Sequence, residues 1–259
     1  MDLGIAGRKA IVSASSRGLG RACAMALAEA GCDVIINGRD AQAVAETVSA
    51  INARGRGKAR GVAADLSTQG GREQVARACP DADILVNNNG GPPPADYTAL
   101  GHDDILRGLE QNMVAPIQLI QALAPGMAQR GFGRIVNITS ASVLTPLPGL
   151  DLSSGARAGL TAFVSGVARQ LAPHGVTVNN ILPGAFATDR LAAILKNAAA
   201  ASGQSEEQVA RARAAAIPAR RFGDPDEFGK LCAFICSAHA GYITGHNFLI
   251  DGGAFPANF

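Results

Sequence analysis

The stretch Lys9-Ala-Ile-Val-Ser13, Ala14-Ser-Ser-Arg-Gly-Leu-Gly20, Arg21-Ala-Cys-Ala-Met-Ala-Leu-Ala-Glu-Ala30 holds three elements in succession. Residues 9–13 form a short apolar run of strand type, residues 14–20 a turn of small residues, and residues 21–30 an Ala-rich helix. That order aims unpaired backbone N–H groups and the positive helix end at one spot, where a phosphate would sit. Gly18 and Gly20 matter there, because a side chain would keep the backbone from a pyrophosphate or the helix from the sheet. A plain strand-to-helix corner with glycines for packing uses the same residues, so the rest of the chain must decide between the two.

Outward from this stretch, apolar runs alternate with Ala-rich ones. Strands are expected at 9–13, 33–37, 59–64, 84–87, 134–139, 177–182 and 247–250. Helices are expected at 21–30, 41–54, 71–79, 103–130, 154–172 and 225–237. Strands apolar throughout and spaced by helices imply a parallel sheet covered on both faces. The 259 residues, 47% of them apolar, suit one α/β domain over 1–259: a doubly wound, seven-stranded parallel sheet flanked by helices. Residues 186–221 break the rhythm. Their portions 191–202 and 206–216 look helical, with Ser205 and Gln208 spaced as a capping box, and such an insertion suits a substrate lid or a packing excursion.

Several classes are disfavoured. A formal charge of +2 with dispersed basic residues argues against nucleic acid or a membrane surface as partner, leaving a small-molecule substrate. No apolar run approaches the roughly 20 residues of a membrane span, and no export signal is visible at the start. Five cysteines without a C-x-x-C pair suit reduced thiols in a cytoplasmic protein, with Cys232 and Cys236 in the core. The four histidines show no metal-ligand spacing, so no metal is expected.

The strand ends carry the polar residues. The second ends Asn37-Gly-Arg39, where an adenosine ribose should fall once a phosphate sits over Gly18–Gly20. An acidic residue there would accept from the ribose hydroxyls; Gly38 and Arg39 stand there instead, with Arg17 in the turn. Two guanidinium forks can clasp a 2′-phosphate, which selects NADP over NAD. Asp65 and Leu66 can meet the adenine edge. Asn87-Asn88-Asn89-Gly90 sets amides beside the cofactor, and Pro183, Gly184, Phe186 and Thr188 follow the sixth strand. With Ser13, Ser15, Ser16, Gly18, Leu19 and Gly20, these are the candidate cofactor residues.

Together these residues resemble the short-chain dehydrogenase/reductase family, of the 3-oxoacyl-ACP-reductase-like kind. The likeness runs through Ser13–Gly20, Asp65, Asn87–Gly90, Asn112, Ser140, Asn179–Gly184, Tyr242-Ile-Thr-Gly245 and Asp251-Gly-Gly253. It implies a nicotinamide cofactor and a homodimer or homotetramer, with helices 103–130 and 154–172 pairing across an interface. It also implies a catalytic serine, here Ser140, an asparagine, here Asn112, and a tyrosine and lysine four residues apart. At those last two positions stand Ser153 and Arg157, and the following Ala-Gly-Leu160 keeps the family register.

This departure bears on the chemistry. A phenol's ordinary pKa of about 10 falls toward neutrality beside an ammonium, whereas a serine hydroxyl is a far weaker acid. Arg157 keeps its proton, so it can hold ribose hydroxyls but relays protons poorly. Tyr97, in the loop beyond Gly91-Pro-Pro-Pro94, and Asp151, if held in an apolar site, are conceivable replacement acids. Tyr242 is expected to pack structurally. Ala14 stands where a turn glycine is usual and is expected to keep a negative φ; Asn89 stands where alanine is usual. Arg220 and Arg221 suit a solvated face, or a carboxylate or phosphopantetheine contact. An NADP(H)-dependent oxidoreductase of a carbonyl, imine or enone, with altered proton supply, is the leading expectation. A silent NADP-binding sensor or partner, and a non-redox lyase or isomerase, are the alternatives.

Overall fold

In a parallel strand covered on both faces, successive side chains enter two different cores, and burial along this chain follows that period. Ala10, Val12, Val34, Ile36, Ile84 and Val86 pack on one side, and Ile11, Ile35, Leu85 and Ile135 on the other. The computed structural model describes residues 1–54, 56–92 and 94–257. Its strands are β1 (Lys9–Val12), β2 (Asp33–Gly38), β3 (Ala59–Ala63), β4 (Ile84–Asn87), β5 (Gly133–Ile138), β6 (Val176–Pro183) and β7 (Asn247–Ile250). They form one parallel sheet in the order β3-β2-β1-β4-β5-β6-β7. The order reverses between β1 and β4, and the carboxyl ends of those two strands border the crevice where such sheets bind ligands.

The helices are α1 (Gly18–Glu29), α2 (Ala41–Asn52), α3 (Gln69–Ala78), α4 (His102–Leu109), α5 (Ala115–Gln129) and α6 (Asp151–Leu171). After β6 come α7 (Asp189–Ser202), α8 (Glu206–Ala216) and α9 (Pro225–Ile235). Helices α1 and α9 cover one face, with Cys23, Leu27, Phe228 and Cys232 fully buried between them; α5 and α6 cover the other. Local chemistry sets the helix starts: Asp40, Thr68 and Thr188 accept from the first free N–H groups, and Ser205 with Gln208 forms the expected reciprocal box.

The single helix expected over 103–130 is interrupted by a π-helical turn at Glu110–Val114. Pro116 explains it. Proline has no N–H to give the carbonyl four residues back, here that of Asn112, and its ring crowds that carbonyl. The helix widens by one residue, and the Ala115 N–H reaches the Glu110 carbonyl, five back. This brings Asn112 into the interior at 3% exposure.

A ladder of asparagine amides crosses the sheet near the strands' carboxyl ends. Asn87 Nδ2 donates to Asn137 Oδ1 at 2.9 Å, Asn137 Nδ2 to Asn180 Oδ1 at 3.1 Å, and Asn180 Nδ2 to Asn247 Oδ1 at 2.8 Å. The four residues are matched in strand register. They tie β4, β5, β6 and β7 together beneath the crevice.

Candidate active site

The turn after β1 is tightly specified. Ser15 Oγ donates to the Val12 carbonyl at 2.6 Å and accepts from the Asn37 N–H at 3.1 Å. Asn37 Oδ1 accepts from the Ala14 N–H, while its Nδ2 donates to the Val62 and Ala64 carbonyls. Ser15 and Asn37, both candidate cofactor residues, thus spend their side chains on the turn itself. Asn88 Nδ2 donates to the Ala14 carbonyl at 3.1 Å, so Asn88 too shapes the turn. Ala14 has φ +43°, correcting the expected negative value: the turn imposes the left-handed region although no glycine is present.

Helix α1 then starts without a side-chain cap, its first chain-internal bond running from the Arg21 N–H to the Arg17 carbonyl. Gly18, at φ +56°, and Gly20 lie at this end. A Cβ on Gly20 would stand 2.5 Å from the Ala14 carbonyl oxygen and 2.7 Å from Asn88 Nδ2, so helix and loop meet only because the side chain is absent. Gly38 is equally close to Ser16 Oγ, at 2.6 Å. Leu19 is half-buried against the core, and the Ser13 hydroxyl is buried without a partner.

At the ends of β2 and β3 the two expected phosphate ligands are placed differently. Arg17 Nη2 pairs with Asp40 at 3.0 Å, an exposed contact, so its fork is occupied. Arg39 is exposed, and its positive field at Asp65 helps lower that carboxyl's pKa. The largest cause of the lowering is the Ser67 N–H, which donates to Asp65 Oδ1 at 2.9 Å; the other carboxylate oxygen is left open. Leu66 is buried beside it.

Helix α6 begins at Asp151, three residues before its expected start, which puts Ser153 in its first turn and Arg157 one turn on along the same face. Arg157 Nε donates to Ser153 Oγ at 3.1 Å, Nη1 to the Ile138 carbonyl at 2.6 Å, and Nη2 to the Asn89 carbonyl at 3.4 Å. Burial first, and then repulsion from Arg190, pushes the guanidinium down to about 10. Ser140, half-exposed, accepts from the Ser142 N–H. Asn89 Nδ2 donates to the Gln111 carbonyl and its Oδ1 accepts from the Gly90 N–H, so the amide fixes the loop. A cavity of about 20 Å³, room for one water, is lined by Ser13, Asn87, Asn112 and Arg157 among others. Ser13 Oγ, Asn87 Oδ1 and Asn112 Oδ1 are all buried without partners.

Other expectations change. Phe186, a candidate cofactor residue, turns inward, 5.4 Å edge-on from Phe228, so its ring belongs to the core. Asp151 is exposed, which removes the apolar site its acid role required. Tyr242 is fully exposed and its ring packs against none of the described residues, correcting the expected packing role; Tyr97 is 75% exposed. Arg221 forks onto Glu227 and Arg220 caps the Ala215 carbonyl, both on the solvated face. Thr188 caps α7, and Gly184 packs on Asp251 beside Pro183. Pro93 of the proline run lies outside the described residues. Arg190 was not anticipated, although an arginine in the first turn of a helix, against the dipole, was a usable signal.

The family described as Enoyl-(Acyl carrier protein) reductase matches residues 13–254. The chain belongs to the short-chain dehydrogenase/reductase family. Among curated relatives in this family, it is 34% identical to the 3-oxoacyl-[acyl-carrier-protein] reductase of Aquifex aeolicus, covering 98% of this chain and all of that one. It is 31% identical to the NADPH-dependent reductase BacG of Bacillus subtilis, covering 96% and 98%. L-sorbose reductase from Gluconobacter frateurii, solved with NADPH and L-sorbose, superposes with a TM-score of 0.95 at 27% identity over both whole chains. Among the described residues no helix is long and apolar enough to cross a membrane, and no cluster could hold a metal ion.

Proposed function

We propose that this chain is an NADP(H)-dependent oxidoreductase that reduces a small carbonyl, imine or enone, with Ser153 and Arg157 in the places usually held by the family's tyrosine and lysine. The observation that carries this reading is Arg157: a buried guanidinium with no carboxylate partner among the described residues, fixed on Ser153, Ile138 and Asn89 and lining the cavity. The residues present fit the cofactor. Gly20 leaves no room for a side chain, the first N–H groups of α1 lack a cap, and the Ser13 hydroxyl waits unpaired. Arg17 and Arg39 would meet a 2′-phosphate, Arg17 by exchanging Asp40 for it, and Asp65 and Leu66 would flank the adenine. Gly90, Pro183, Gly184 and Thr188 would border the nicotinamide.

When bound, NADPH supplies a hydride to the substrate carbon. The chain must then stabilise and protonate the resulting oxyanion. Ser153 Oγ accepts the Arg157 Nε–H, which leaves the serine's own hydrogen free to point at the substrate oxygen. Ser140 donates a second bond. With a pKa of about 10, Arg157 is still a cation at neutral pH, so it offsets charge on Ser153 as the proton leaves. Its remaining N–H groups hold the ribose hydroxyls, and Asn112 holds a water behind them. Such weak acid help suits substrates that need little of it. The unit spans residues 1–259, with 186–221 as its substrate loop, and assembles as a homodimer or homotetramer. Five free cysteines, all buried, support a cytoplasmic setting.

The test uses purified protein, NADPH and a panel of ketones, quinones, enones and cyclic imines, beside the variant Ser153→Tyr/Arg157→Lys. Oxidation of NADPH by one substrate class, and a gain of ordinary ketone reduction in the variant, are expected. Tight NADPH binding with no oxidation by any panel member would overturn the reading in favour of a sensor or partner. Substrate turnover without change in cofactor redox state would instead indicate a lyase or isomerase.

A further inference from the structure

Three positions at which this chain departs from its family's usual residues, 89, 153 and 157, are joined in one hydrogen-bonded series. Ser153 Oγ accepts from Arg157 Nε at 3.1 Å, and the far edge of the same guanidinium reaches the Asn89 carbonyl through Nη2 at 3.4 Å. Between them Nη1 donates to the Ile138 carbonyl at 2.6 Å. The series continues through the Asn89 side chain: Nδ2 donates to the Gln111 carbonyl at 3.0 Å, and Oδ1 accepts from the Gly90 N–H at 2.9 Å. Gln111 stands in the π turn, next to Asn112. Asn89, Gln111, Asn112 and Arg157 all line the cavity of about 20 Å³. Among the described residues Arg157 has no carboxylate partner, and it is 8% exposed, so its charge depends on these neutral oxygens.

We propose that Asn89 is a positioning residue for the reduction: by fixing its own carbonyl it sets the plane of Arg157 and so keeps Nε on Ser153. This rests on the reductase reading above and deepens it. An arginine's donors lie in one rigid plane, so a bond at one edge constrains the other. Ile138 is held by β5, but Asn89 lies in a loop, and its carbonyl keeps its direction because the side chain is tied at both ends. Turning that carbonyl away would release Nη2, tilt the plane and draw Nε off Ser153. Alanine at 89 keeps the carbonyl and loses the ties that aim it. A lysine at 157 would donate from a single point, so it could not bond Ser153 from its stem while its tip reached Asn89. The need for an amide at 89 therefore comes from the arginine.

The experiment follows hydrogen exchange of arginine Nε–H groups by NMR in protein with isotope-labelled arginine; the Arg157 signal is the one that Arg157→Lys removes. Arg72 Nε, bonded to Gln118 at 2.7 Å, and Arg134 Nε, bonded to the Ser237 carbonyl at 3.0 Å, are buried controls outside the series. In Asn89→Ala the Arg157 Nε–H should exchange about 10-fold faster or more, the loss of one hydrogen bond, while both controls change less than about 2-fold. Asn89→Ser, which keeps a polar contact to Gly90 and falls short of Gln111, should give a smaller rise. In turnover assays kcat should fall about 10-fold in Asn89→Ala, with a smaller change in KM for NADPH. In the Arg157→Lys background Asn89→Ala should lower the unfolding midpoint by less than about half its drop in wild type. Arg157 exchange that rises only in step with the controls, kcat within about 2-fold of wild type, or an equal midpoint drop in both backgrounds would overturn the proposal. Selective loosening of Arg157 in a protein that reduces no substrate would sink the reductase reading and leave the hold of Asn89 on Arg157 standing. Turnover without selective loosening would do the reverse.

Discussion

Replacing Asn137 by leucine cuts the asparagine ladder at its centre. Asn137 is fully buried; its Oδ1 accepts from Asn87 and its Nδ2 donates to Asn180. The substitution strands two buried groups, Asn87 Nδ2 and Asn180 Oδ1. Each unsatisfied buried group costs about 1–3 kcal/mol, so the sum is about 2–6 kcal/mol, with the low end favoured because Asn87 Nδ2 keeps a 3.5 Å contact to the Pro116 carbonyl. Asn247→Leu, at the half-buried edge, strands only Asn180 Nδ2 where water can enter, and should cost about 1 kcal/mol or less. Urea unfolding checks this: the midpoint should fall much further for Asn137→Leu than for Asn247→Leu, with the slope unchanged. The double variant Asn137→Leu/Asn180→Leu should cost less than the sum of its singles, because the shared bond is lost only once. Equal costs at 137 and 247, or strict additivity at 137 and 180, would show that the ladder is not cooperative.

Gly20→Ala should weaken NADPH binding by about 10-fold or more in a fluorescence titration, since its Cβ would press on the Ala14 carbonyl at 2.5 Å. Ala14→Gly should leave stability near wild type, because relief of the left-handed φ is offset by greater unfolded-state freedom, whereas Ala14→Val should cost about 1–2 kcal/mol in chemical denaturation. Arg157→Met should raise the unfolding midpoint near pH 8 while abolishing turnover, because it removes an unpaired buried cation. The folded-state pKa of Arg157 lies near 10, below the ordinary arginine value, so from pH 10 upward the unfolded chain keeps a proton that the folded one releases. Wild-type stability attributable to this group therefore rises with pH in that window, and the variant's advantage should shrink from pH 10 upward.

The sheet was legible because its signal is local and redundant: seven apolar runs, each bounded by turn residues, leave little choice of topology. Ser140, Ser153, Arg157 and Asn112 were legible as positions through the resemblance to the family, and the structure brings Ser153 and Arg157 into contact. What each side chain does was less legible. Asn37, Asn88 and Asn89 look alike in sequence to free ligands, yet their amides are spent on the backbone of neighbouring loops. Phe186 turns inward and Tyr242 outward, against expectation, because sequence gives hydrophobicity but not which way a loop turns. The π turn has its cause in Pro116, but the apolar periodicity continues across that proline and masks the break. The left-handed Ala14 had none, since tertiary bonds from Asn37 and Asn88 impose it.

The distribution of unmet hydrogen bonds points to where this chain expects company. Eight buried side-chain polar atoms lack partners among the described residues. Six of them, on Ser13, Asn87, Asn112, Thr139, Ser142 and Ser154, lie at the carboxyl ends of β1, β4 and β5 or on the turns that face them, while Thr177 and Ser237 lie at the opposite end. Random packing faults would scatter over both ends. Each such atom costs roughly 1–3 kcal/mol when desolvated and unpaired, a cost that folded chains rarely carry without a use. This end of the sheet therefore holds hydroxyls and amides awaiting partners. Loading with NADPH should raise the unfolding temperature, and no shift at saturating nucleotide would show that these groups serve something else.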